Sequence, residues 1–299
     1  MPQKVAGGRA CFHLGGLIDM ALDFIDPWVP DWADHLQRLQ GRLPEGHHVH
    51  LLFDSVFVPG THQRFGASTR WLALFDGNPG DPATLRSVSP LTLTFASHNT
   101  TLLTVLQAGS GAPALSAVIT PEPLEDWTAR LRPWCVVQVG NQWFNCRFPD
   151  TRRLPGFLAA LSDAQRAAFI GPAIAWHHIG RDGAWHELPI EATPDAAIPD
   201  EVTLEQDQFD QMLDDAAVDE MLFRFMTQGR HQQLTYAARY RLAAQALEAA
   251  QQHKLPERAH LDWVDHWLSE AGRADAAGTP PNTPDTETAL RAWSEENLA

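Results

Sequence analysis

VVQVGNQWFNCRFPDTR, running from Val136 to Arg152, places Asn145, Cys146, Arg147, Asp150 and Arg152 within a few residues of one another. The stretch reads either as an active site, with a thiol nucleophile, an arginine clamp and a carboxylate, or as a strand pair and the turn that leaves it. Side-chain alternation decides. A two-residue Gly140-Asn141 turn fixes a hairpin register in which Val139 faces Gln142 and Cys135 faces Cys146. Cys135, Val137 and Val139 then share a face with Phe144, Cys146 and Phe148, and that face is apolar. A thiol among apolar groups has a raised pKa and is inert, so Cys146 is expected in the core. A Cys135–Cys146 disulfide is geometrically conceivable but disfavoured in a cytoplasmic chain. Asn145 and Arg147 fall on the opposite face with Trp143. Arg147, at the strand end, is expected to pair with Asp150 and lock the turn into the next helix.

Outward from this hairpin, strand and helix signals alternate. Val49–Val58 is rich in β-branched and large apolar residues and stops at Pro59-Gly60. Arg70–Phe75 and Leu115–Ile119 are further strand candidates. Asn99 or Thr100 caps a helix carrying Leu102, Leu103 and Leu106. Thr120-Pro121-Glu122 opens another, carrying Leu124, Trp127 and Leu131. Helices around Leu154–Leu161 and Ala164–Phe169 precede a hairpin, Ala173–Ile179 and Ala184–Leu188, turned at Asp182-Gly183. Hairpins mixed with βα units predict an α/β lobe with a mixed sheet over residues 49–190. Before it, residues 1–48 read as an N-terminal extension with a short helix from Asp31 that carries Trp32, Leu36 and Leu39. After it, residues 191–202 form a Pro-rich linker. Residues 203–271 predict a small all-helical lobe of three helices, from the spacing of Phe209, Met212, Leu213 and Ala216, of Ala237, Tyr240, Ala244 and Leu247, and of Leu261, Val264 and Leu268. Residues 272–299 read as a flexible tail, with Leu290, Trp293 and Leu298 at the spacing of a short amphipathic helix.

Composition narrows the function classes. With 299 residues, 44% of them hydrophobic, the chain can bury one large core or two modest ones. Its formal net charge of −15 and the lack of a basic stripe argue against a nucleic-acid ligand. The first apolar patch is broken by His13, Asp19 and Asp23, too polar for a signal segment and too short to span a bilayer. Three cysteines without a C-x-x-C pair agree with a reducing, cytoplasmic location. No Walker A sequence, dinucleotide glycine fingerprint or G-x-S-x-G elbow is present, and no zinc-ligand spacing. No metal or other cofactor is expected.

Two constellations remain. His48 and His50 alternate on a strand start with Asp54 on the same face, a set that can hold a metal, or else a polar edge with surface histidines. Between Arg181 and Arg224 the chain carries thirteen acids and no Lys or Arg. Such a block, including Asp214, Asp215 and Asp219, can steer a basic partner, or can simply be a solvated face that keeps the chain soluble.

Several stretches together resemble the type VI secretion effector adaptor/chaperone family. They are Leu51-Leu52-Phe53-Asp54, Pro123-Leu124-Glu125-Asp126-Trp127, and Arg147-Phe148-Pro149-Asp150-Thr151-Arg152. The last differs from the family's Arg-Phe-Tyr-Asp-Pro-Arg at two positions. Gln165, Phe169, Gly171-Pro172 and Asp182-Gly183-x-Trp185 continue the pattern, so the likeness spans Val49 to Leu188. It implies a protein that is not an enzyme. Such a protein binds a cognate effector through the effector's N-terminal region in the cytoplasm, and helps load it onto the VgrG spike or its PAAR tip. It also implies that Arg147, Asp150 and Arg152 lie near a partner-binding surface, to which Asp214, Asp215 and Asp219 of the acidic block can contribute. Two alternatives stand beside it: a metal-dependent enzyme using His48, His50 and Asp54, and an immunity protein that binds a toxin domain.

Overall fold

Val49, Leu51 and Phe53 turn to one side of their strand and Leu52 to the other, and all four are buried. This strand lies inside the protein on both faces, which is why its sequence is an almost unbroken apolar run. The computed structural model describes residues 23–65, 69–276 and 286–297. Through the first part of the chain the elements are α1 (Trp32–Gln40), β1 (His48–Asp54), α2 (Thr61–Arg64), β2 (Trp71–Ala73), α3 (Pro82–Val88), β3 (Pro90–Thr94), α4 (Thr100–Gln107), β4 (Leu115–Thr120) and α5 (Leu124–Leu131). There follow β5 (Val136–Val139), β6 (Gln142–Asn145), α6 (Leu154–Ala160), α7 (Asp163–Ile170), β7 (Ala175–Ile179), β8 (Trp185–Glu187) and β9 (Val202–Leu204). Four helices close the chain: α8 (Gln206–Thr227), α9 (Tyr236–Gln252), α10 (Glu257–Ala276) and α11 (Thr286–Asn297).

The protein is mixed α/β with a helical C-terminal region. Its large sheet has the order β2-β3-β1-β4-β7-β8, and every neighbouring pair in it is antiparallel. Parallel pairing is confined to a second, small sheet, β6-β5-β9, where β9 runs alongside β5. The end of the segment expected as linker is thus a strand: Val202 and Leu204 are buried opposite Val137 and Val139. The β5–β6 hairpin has the expected register, Val139 opposite Gln142, with Gly140 at φ +56° in the two-residue turn.

Two cores flank the large sheet. One is covered by α4 and by Ile25, Trp28, Trp32 and Leu36. Residues 23–47, read from sequence as part of an extension, are therefore built into the α/β lobe. Asp26 N and Val29 N donate to Arg181 O and Gly183 O, and a Cβ on Gly183 would collide with the Pro27 carbonyl. The other core holds Trp127, Trp134, Phe148, Phe157, Phe169 and Trp176, brought by α5, the 3-10 turn Arg132–Cys135, the turn after β6, α6, α7 and β7. A third core lies within the helical lobe, around Trp263, Trp267, Leu222 and Leu247. Leu290 and Trp293 of α11 are buried in it, with Trp293 5.7 Å from Trp263. The lobe is a four-helix unit because this amphipathic stretch, placed by the sequence in a tail, has an apolar face that is covered. Leu298 lies outside the described residues.

Helix α8 joins the two parts. Its 22 residues span about 33 Å at 1.5 Å per residue. Phe209 and Met212 pack on the second core, while Val218, Leu222, Phe225 and Met226 pack in the third. Among the described residues, no helix is long and apolar enough to cross a membrane.

Candidate functional site

The turn after β6 carries the side chains singled out by sequence, and α8 passes beside it. Asp150 Oδ1 accepts from Arg152 N and Arg152 Nε, both at 3.0 Å, and Asp150 Oδ2 accepts from Arg152 Nη2 at 2.7 Å. This two-pronged pair is buried. Burial works to raise the Asp150 carboxyl, but the guanidinium groups of Arg152, Arg147 and Arg153 together outweigh it and hold the group below the usual carboxylate range. The Arg152 guanidinium also sits over the rings of Phe24 (5.4 Å) and Phe57 (5.8 Å).

The expected Arg147–Asp150 pairing does not form. Arg147 Nη2 donates instead to Asp54 Oδ2 at 2.7 Å, across 93 residues of sequence. Asp54 is 1% exposed and caps the 3-10 turn Ser55–Phe57, whereas the Arg147 side chain is 46% exposed. The reason is geometric. Asp150 folds back onto its own turn, while the end of β1 delivers a buried carboxylate to the strand end.

That pairing also dissolves the proposed His48/His50/Asp54 metal set. Both His50 ring nitrogens are engaged: Nε2 donates to Glu122 O at 2.9 Å, which leaves Nδ1 to accept from the Thr94 hydroxyl at 3.1 Å. The ring stacks on Trp127, and burial lowers its pKa to about 4, so it is neutral. His48 is exposed. Among the described residues, no group of three or more His, Cys, Asp and Glu side chains is arranged to hold a metal. The two hairpin cysteines face apolar surroundings as expected. Burial pushes the Cys146 thiol up to about 12 and Cys135 higher still.

The acidic stretch of α8 divides. Asp214 is exposed and Asp215 half-buried, but Asp219 is 3% exposed. Its Oδ2 accepts from Arg181 Nη2 at 2.9 Å and lies 3.0 Å from Arg153 Nη1. Its Oδ1 accepts from the Tyr236 hydroxyl at 2.8 Å. Arg152 Nη1 stands 3.9 Å away. As a partner-binding residue Asp219 is therefore corrected: it locks the turn before α6, the β7–β8 turn and the start of α9 onto α8. Sequence holds a signal for this. Asp219 falls three residues after Ala216 and three before Leu222, in the apolar stripe of the helix, where an acid must find internal partners. Arg153, Arg181 and Tyr236 carry no comparable local signal.

Two openings flank this lock. The first, of about 200 Å³, lies between β6 and α8 and is walled by Phe144, Cys146, Phe157, Phe209, Met212 and Leu213, with Arg147, Arg153 and Asp215 as its charged residues. The second, of about 360 Å³, is lined by Phe24, Phe223, Tyr236, Arg152, Arg224 and Glu220. Arg147 and Arg153 border both, so the two openings adjoin at the lobe junction.

Residues 49–168 match the family described as Domain of unknown function (DUF4123). The family so described is associated with type VI secretion effectors. The matched stretch contains β1 to α6 and most of α7, including Asp54, Arg147, Asp150, Arg152 and Arg153, so one wall of the apolar opening belongs to it and the other to α8. No curated protein and no solved structure matches the chain significantly.

Proposed function

We propose that this chain is a non-enzymatic adaptor. It binds a type VI secretion effector in the cytoplasm, through the effector's N-terminal region, and assists its loading onto the VgrG spike or PAAR tip. One observation carries the reading: the stretch that matches DUF4123 and the helical lobe meet at two adjoining openings, one apolar and one lined by arginines. Clefts at such junctions are common binding sites. The residues that sequence offers as chemistry are otherwise engaged, since Cys135 is buried, Cys146 is partly buried with its thiol pKa pushed up, His50 is neutral and bonded, and Asp54 is paired. Half-exposed Arg147, Asp215 at the apolar opening and exposed Asp214 are the contact residues in this reading. Arg152 lines the second opening and Asp150 holds its guanidinium.

Co-expression with the effector encoded beside this chain, followed by affinity purification and size-exclusion chromatography, tests the proposal. A complex that forms with the effector's N-terminal fragment alone is the expected result. Separate elution, or a complex only with the toxin domain, would overturn it, the latter in favour of an immunity protein.

A further inference from the structure

In the small sheet β6 has a strand on one side only. Cys146 N donates to Cys135 O at 2.9 Å, which sets the phase of the ladder. The backbone groups of Gln142 and Phe144 face β5, and those of Trp143 and Asn145 face the open side. Proteins usually blunt such an edge with charge, proline or a covering segment. Gln142-Trp143-Phe144-Asn145 has neither charge nor proline.

The apolar opening runs beside this edge. Trp143, on the strand that forms one wall, is 51% exposed, and Leu213, on the helix that forms the other, is 54% exposed. They are the two most exposed large hydrophobic side chains among the described residues. Leu213 lines the cleft, whereas Trp143 stands on the opposite face of β6 from Phe144, so exposed apolar surface lies on both faces of the open strand, as at an interaction site. The charged side chains lining the cleft are Arg147, Arg153 and Asp215, and both arginines already face a carboxylate, Arg147 that of Asp54 and Arg153 that of Asp219, so what the cleft offers a ligand is the unused donors of the half-exposed Arg147. Arg147 gives Nη2 to Asp54, and its Nε and Nη1 make no hydrogen bond among the described residues.

We infer that β6 takes up an extended segment of the partner as an added strand. An apolar side chain of that segment enters the cleft between Phe144 and Leu213, and a carboxylate meets Arg147. Main-chain bonds to Trp143 and Asn145 hold any extended segment, and the cleft and Arg147 select among sequences. The inference rests on the adaptor reading and specifies how the partner is held.

The test is hydrogen exchange followed by mass spectrometry on the chain alone and bound to the effector's N-terminal fragment. It is paired with binding of that fragment to Leu213→Asp, which alters an exposed side chain, and to Arg147→Gln. Exchange at Trp143 and Asn145 is expected to slow at least about 10-fold in the complex, and each variant to weaken binding at least about 10-fold. A complex that leaves these amides unprotected and binds Leu213→Asp like the wild type overturns the strand inference while the adaptor reading stands. Failure of any complex to form removes both. Protection of the same amides in the isolated chain, growing with concentration as a dimer appears, assigns the edge to a second copy and also overturns the inference.

Discussion

Replacing Asp219 by Ala would withdraw a buried carboxylate that groups from both halves of the molecule share. Its neighbours cannot all rehydrate, since the side chains of Arg152, Arg153 and Arg181 are 10%, 21% and 15% exposed. Arg152 keeps Asp150, and Arg153 keeps the Asp215 carbonyl at 3.0 Å. Arg181 loses its only side-chain hydrogen bond among the described residues and remains over the Tyr240 ring at 3.7 Å. The Tyr236 hydroxyl loses its acceptor at the same time. Breaking a buried ion pair by removing one partner costs about 3–5 kcal/mol, and the two strongly affected groups place this substitution near the middle of that range. With a urea slope of about 3 kcal/mol per molar, the midpoint falls by about 1 M. Because the lock joins parts with separate cores, far-UV circular dichroism and tryptophan fluorescence should also cease to report a single transition. Asp219→Asn retains an oxygen for Tyr236 and should lose less, and Tyr236→Phe, which removes one bond to a carboxylate, about 1.5–3 kcal/mol. Asp214→Ala on the exposed face is the control, expected within about 0.5 kcal/mol of wild type. Asp219→Ala behaving like that control would refute the reasoning, because it would mean that Asp219 is solvated like the rest of the acidic face.

The Arg147–Asp54 pair should be asymmetric: Arg147→Ala strands a buried carboxylate, whereas Asp54→Ala leaves a half-exposed guanidinium that water can reach. Urea midpoints should therefore fall further for Arg147→Ala, and the reverse order would contradict the burial argument. His50 and His178 are held at a pKa of about 4, chiefly by burial, against 6.5 in the unfolded chain. The unfolded state then binds protons that the fold does not between these values, so stability is full above about pH 6.5 and declines as pH falls toward 4. A urea midpoint constant from pH 7.5 to 4.5 would count against neutral buried rings. In a Cys11→Ser background, the native thiols should react with Ellman's reagent at pH 8 at least about 1,000-fold more slowly than the urea-unfolded chain. Comparable rates would show Cys146 to be ionisable. Trp293→Ala should destabilise the helical lobe by about 3–5 kcal/mol, read as a lower urea midpoint by circular dichroism, and no change would mean that α11 does not dock.

What the sequence determined by itself is local. Turn chemistry at Gly140-Asn141 set the hairpin register, the Asn99-Thr100 pair marked the start of α4, and alternation put Cys146 on the apolar face, because these depend on residues a few positions apart. Helical spacing likewise identified α8 to α10 and the amphipathic stretch of α11. What depended on distant elements meeting was decided only by the tertiary structure. The antiparallel order of the large sheet, the burial of Trp28 and Trp32 beneath it and the docking of Trp293 follow from how apolar faces find one another. The charges show it most sharply. Arg147 had a carboxylate three residues away, yet its partner is Asp54, and one acid of the α8 block is the centre of the interlobe lock while Asp214 and Glu220 face solvent. A side chain's charge is written in the sequence, but its partner is fixed by which buried surfaces close around it.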